Sequence, residues 1–141
     1  MKGAKRNLVL SLGLGLALVA CSRDEEVNKV VADFDAFSKE IVNKVKTASN
    51  PAAGIVEAQK YLDANKAAIT RRLASIKDVK NFQLSDETKK KMEATVKSDA
   101  EAVAGLAMGY VGQLAMNADL RAKFEKLVND YKGIVTEGWG G

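Results

Sequence analysis

An all-α fold, with four amphipathic helices in an antiparallel up-down-up-down bundle, is what this sequence predicts, and three observations predict it. The chain of 141 residues holds a single proline, and Ala, Lys, Glu and Leu, which are good helix formers, are abundant. Apolar residues recur at three- and four-residue steps through four segments, the spacing that lines one face of a helix. The segments are separated by short stretches bearing helix-capping residues, and short connections favour antiparallel neighbours.

Val27, Val30, Val31, Phe34, Phe37, Ile41, Val45 and Ala48 form the stripe of the first helix and leave Lys29, Asp35, Lys39 and Lys46 to water. Residues 21–26 read as a charged tether, in which Ser22 and Glu25 fit a Ser-x-x-Glu capping box. The helix ends in Thr47-Ala48-Ser49-Asn50-Pro51. Asn50 is a good N-cap, and Pro51 at the first helical position sacrifices no intrahelical hydrogen bond. The second helix runs to about Ile76 on a stripe of Ile55, Ala58, Leu62, Ile69, Leu73 and Ile76. Residues 77–84 lack a strong period and read as a connection, with Phe82 and Leu84 turned inward.

Ser85 caps the third helix, and Asp86 and Glu87 stand at the positive end of its dipole. This helix is expected to continue to about Met116, with Met92, Val96, Val103, Ala107, Tyr110 and Leu114 inward. Asn117 breaks it and caps the fourth, whose inward set is Leu120, Phe124, Leu127, Val128, Tyr131 and Val135. The bundle domain is therefore expected over 27–136. Gly138-Trp139-Gly140-Gly141 makes 137–141 a glycine-rich tail, whose Trp139 either folds back, anchors at a membrane interface or hangs free.

Residues 1–20 have the layout of an export signal. Lys2, Lys5 and Arg6 are its positive region, and Leu8 to Ala20 its apolar core. That core is shorter than the roughly 20 residues a spanning helix needs. It closes in Leu18-Val19-Ala20-Cys21, which resembles the lipobox of bacterial lipoproteins position by position: an aliphatic residue, a small or β-branched one, a small one, then Cys. The resemblance covers residues 1–21 only. It implies cleavage between Ala20 and Cys21, a diacylglyceryl thioether on Cys21 and a further palmitate-type N-acyl chain. The other reading is an ordinary signal peptide cleaved elsewhere, with Cys21 incidental. Two or more acyl chains hold a membrane stably where one is marginal. In this family an Asp after the Cys favours inner-membrane retention; Ser22 follows here, so the resemblance favours the outer membrane, with the protein on the periplasmic or cell-surface side.

The 22 Lys and Arg against 18 Asp and Glu look basic, but three of the positive charges fall in the signal segment. The remainder is nearly neutral, which gives no support for nucleic-acid binding. There is no histidine, so a His general base, a His-containing zinc site and a His-ligated haem are excluded. Cys21 is the only thiol, which removes intrachain disulfides. No catalytic residue, metal ligand or cofactor is expected.

Gly105, Gly109 and Gly112 are the main candidate contact residues. Glycine inside a helix costs roughly 1 kcal/mol relative to Ala, and Gly105-x-x-x-Gly109 permits close helix approach. They are expected to mark tight packing or a bend, or else a partner face or a groove for an apolar ligand. Lys89-Lys90-Lys91 and Arg71-Arg72 read as solvated helix surface. Asp33, Asp35 and Glu40, and Asp99 with Glu101, are the carboxylate groupings; residues two apart on a helix diverge, so solvated charge is expected. Met92, Met108 and Met116 read as core filler. The function expected is a lipid-anchored, non-enzymatic helical module that serves an envelope protein partner; the alternative is a carrier of a small apolar or lipid ligand between the helices.

Overall fold

The computed structural model describes residues 22–139. Over these the chain is all-helical, with no strand. Its helices are α1 (Asp24–Thr47), α2 (Pro51–Ser75), α3 (Asp86–Gly105), the short α4 (Val111–Met116) and α5 (Ala118–Trp139), with 3₁₀ turns at Asn81–Gln83 and Leu106–Tyr110. The signal segment, Ala20 and Cys21 lie outside the described residues.

The caps follow local chemistry. Asn50 Oδ1 accepts the Ala53 N–H at 2.9 Å, and Pro51 opens α2. Ser85 Oγ accepts the Thr88 N–H at 3.2 Å, and Asn117 Oδ1 accepts the Leu120 N–H at 3.0 Å. The capping box at Ser22 does not form: Arg23 holds the cap position of α1 without a side-chain bond. Asp24, Glu25 and Glu26 in the first turn and Lys44 and Lys46 in the last match the dipole of α1 instead.

One core joins the helices. Val27, Val31, Phe34, Ile41 and Val45 of α1 meet Ile55, Leu62 and Leu73 of α2 and Leu127, Tyr131 and Ile134 of α5. Aromatic rings fill its centre. Phe37 stacks on Tyr131 at 6.3 Å and on Tyr61 at 5.7 Å, and Phe34 meets Trp139 edge-on at 5.6 Å. Each such pair adds about 0.5–1.5 kcal/mol beyond area burial.

Pairwise contacts fix which helices lie together. Asp33 pairs with Arg72, and Gly54 lies against Val45, so α1 and α2 are joined at both ends. The Thr88 hydroxyl accepts from Asn28 Nδ2 at 3.3 Å, and the Tyr110 hydroxyl donates to the Val45 carbonyl at 3.4 Å, seating the α3 side of the molecule along α1. Gln59 donates to Asp130 at 2.8 Å, and Gly138 sits on Leu73, seating α5 along α2.

Three further expectations are corrected. The third helix does not run to Met116: it tightens into a 3₁₀ turn at Leu106 and resumes as α4. The glycines weaken an α-helical continuation there, and the break lets Leu106 and Leu114 both reach the core. Phe82 points outward and is 87% exposed, while Leu84 is buried. Its own 3₁₀ turn directs Phe82 away from the core that takes Leu84. Finally, residues 137–139 are not tail: α5 continues through Trp139 because Gly138 fits against Leu73 and Trp139 packs on Phe34.

Candidate functional site

α3 buries only Thr88, Asp99 and Val103. That sparse set brings an acid into the seam with α1, where a groove of about 480 Å³ is lined by Asp35, Ser38, Lys39, Asn43 and Lys46 of α1 and by Thr95, Ser98 and Asp99 of α3. Asp99 is 5% exposed, and its Oδ2 has no hydrogen-bond partner among the described residues. Burial, then the neighbouring Asp35 carboxylate, push Asp99 up to about 6, against the pull of the Lys39 charge. Lys39 itself bonds Asp35 at 2.7 Å. Asp99 can therefore take up or release one proton near pH 6 within a helix seam.

The same seam contains a buried hydroxyl pair. Ser38 Oγ donates to the Phe34 carbonyl at 2.9 Å and lies 2.7 Å from the Tyr131 hydroxyl. Ser38 has one proton and spends it on Phe34, so Tyr131 is the donor in the second bond. Burial raises the Tyr131 phenol above its ordinary range.

A second feature lies at the C-terminal end of α1, where the Tyr110 hydroxyl meets the Val45 carbonyl. The segment from Leu106 to Met116 exposes Met108 (82%), Val111 (62%) and Met116 (92%), three of the four large apolar side chains exposed among the described residues. Gly109 and Gly112 are exposed beside them. A Cβ built on Gly105, Gly109 or Gly112 meets nothing within 4 Å. The expected close packing at these glycines is thus absent among the described residues; they sit at and beside a break in the helix, in a segment with exposed apolar side chains. Gly54 and Gly138 take the close approaches instead, with built Cβ atoms 2.8 Å from the Val45 carbonyl oxygen and 2.6 Å from Leu73 Cβ.

The remaining candidates divide. Met92 is partly buried against the core, whereas Met108 and Met116 are surface and not filler. Lys89 pairs with Asp86, and Lys90 and Lys91 are exposed, as a solvated face requires. Arg72 pairs with Asp33, while Arg71 is exposed. Glu40 pairs with Lys44, and Glu101 is exposed. Asp99 was expected in water and is in the seam. No group of three or more potential metal-ligating side chains occurs among the described residues, and no described helix is long and apolar enough to cross a membrane.

Comparison with protein-family models, curated proteins and solved structures finds no match to this chain.

Proposed function

We propose that the protein is a lipid-anchored, non-enzymatic module that presents an apolar face to a protein partner in the bacterial envelope. The observation that carries the reading is the exposure of Met108, Val111 and Met116 within one short segment interrupted by glycines. Adaptable methionine side chains over an irregular backbone suit a partner surface. The anchor rests on the lipobox resemblance, with Cys21 as the acylated residue and cleavage after Ala20.

The helix contacts support chain directions that alternate up, down, up, down through α1, α2, α3 and α5. In this arrangement α3 lies beside α1 and α5 beside α2, so both of those neighbouring pairs run parallel. The apolar segment then stands at the end remote from Cys21, about 32 Å along α1 at 1.5 Å per residue. That placement directs it away from the anchoring bilayer. A carrier of an apolar ligand beside Gly105, Gly109 and Gly112 has less support, because those glycines face open space and the groove between α1 and α3, though Val42, Ala94 and Ala102 contribute to it, would set such a ligand against Asp35, Lys39, Lys46 and Asp99.

Photo-crosslinking residues placed singly at Met108, Val111 and Met116 in the native envelope test the partner reading, with Lys132 on the exposed side of α5 as control. One discrete protein adduct from the apolar positions and none from Lys132 is expected. Equal or absent adducts at all four positions overturn it.

A further inference from the structure

Phe82 is the large apolar side chain that the fold leaves outside both the core and the distal face. It is 87% exposed, yet its backbone is held firmly. The Gln83 N–H donates to the Lys80 carbonyl at 2.8 Å, and the Lys80 N–H donates to Gln83 Oε1 at 2.8 Å. The Arg23 N–H donates to the Gln83 carbonyl at 3.1 Å, and the Ser85 N–H to Asp24 Oδ1 at 2.9 Å. Four hydrogen bonds thus fix an exposed aromatic ring beside the point where the described chain begins. Cys21 precedes Arg23 by two residues, a reach of at most about 7 Å.

We propose that the Asn81–Gln83 turn is a second membrane contact, with Phe82 inserted at the lipid interface beside the anchor. The inference rests on the lipid-anchored reading of Cys21. An acyl-bearing residue within two residues of Arg23 holds this turn at headgroup level, where an aromatic ring has a favourable environment that water does not give. Lys77 and Lys80 flank the ring and are offset by the exposed Asp78 and by Asp24, which accepts the Ser85 N–H beside the turn. The contact is therefore apolar and does not depend on anionic lipid. One ring is too little to hold the protein on a bilayer; joined to a lipidated cysteine it fixes how the bundle stands on the surface.

The test uses residues 21–141, which contain the whole described core, coupled through Cys21 to a maleimide-headed lipid in phosphatidylcholine vesicles. Phe82→Trp and Met116→Trp, both at exposed positions, are compared with the unsubstituted protein, whose Trp139 signal is subtracted. Lipids brominated along the acyl chain should quench the added indole of Phe82→Trp about two-fold or more and leave that of Met116→Trp untouched. Raising salt from about 0.1 to about 1 M should not change this. Equal quenching at the two positions, or none at either, overturns the proposal, as does quenching at position 82 that salt abolishes. Because the coupling is chemical, the result does not depend on whether cells acylate Cys21. Incorporation of labelled palmitate into wild type but not Cys21→Ser answers that question separately.

Discussion

Asp99 is buried in the seam between α1 and α3 near the Asp35 carboxylate, and folding raises its pKa from 3.8 to about 6. Between those values the folded state holds more protons than the unfolded one. Its stability contribution is therefore greatest below about pH 4 and falls as the pH rises through 6. Asp99→Asn, which mimics the protonated carboxyl, should stabilise the protein at pH 7.5 by about 1 kcal/mol, after allowance for solvent screening at the groove. The difference should vanish near pH 4, as denaturant melts across this range would show. The hydroxyl pair beside it gives an asymmetric expectation. Ser38→Ala strands the buried Tyr131 donor and should cost about 1–3 kcal/mol, whereas Tyr131→Phe leaves Ser38 bonded to the Phe34 carbonyl and should cost less. Asp99 was legible in part. It lies three residues after Val96 and four before Val103, on the inward stripe, although its charge argues for water. The side chains it meets in the seam, Asp35, Ser38 and Lys39, come from α1, and no local pattern in α3 announces them.

Among the elements, α1, α2 and α5 were legible because their apolar stripes are continuous. Val27 to Val45, Ile55 to Ile76, and Leu120 to Tyr131 supply the core almost residue for residue. The third segment was not, because its stripe is thin and the glycines permit two outcomes, close packing or a break. Spacing alone does not distinguish them; the space around each Cα does. Gly54→Ala should cost about 1–3 kcal/mol, since its Cβ would meet Val45 backbone atoms that cannot rotate away. Gly138→Ala, pressed on the buried Leu73, should be similarly costly. Gly112→Ala, in open space within α4, should instead be neutral or stabilise by up to about 1 kcal/mol. Thermal melts of the three variants would separate them cleanly. A destabilised Gly112→Ala would argue that this position is covered in a larger assembly.

For the whole molecule, the all-helical class followed from composition and period, while the seating of α3 on α1 did not. Sequence patterns identify the apolar faces but carry no instruction about which helix covers which. The candidate surface was legible only as three glycines; its exposed methionines were indistinguishable from core filler until the helix was seen to break. If the proposed anchor is correct, Cys21→Ser should move the protein from the detergent phase to the aqueous phase while its helical circular dichroism stays unchanged. Continued detergent partitioning would rule out lipid on Cys21.

The contacts of α3 and the 3₁₀ turn that follows it with α1 also have a mechanical meaning. Asn28 with Thr88 of α3 near one end and Val45 with Tyr110 of the turn near the other join this segment to α1 along most of its length. A pull applied to the distal segment of a molecule held at its N-terminus would load that seam in shear, with its contacts strained together instead of peeled one by one. The pair would behave as a stiff strut, and its weakest member would be the stretch around Asp99, where a charge replaces an apolar contact.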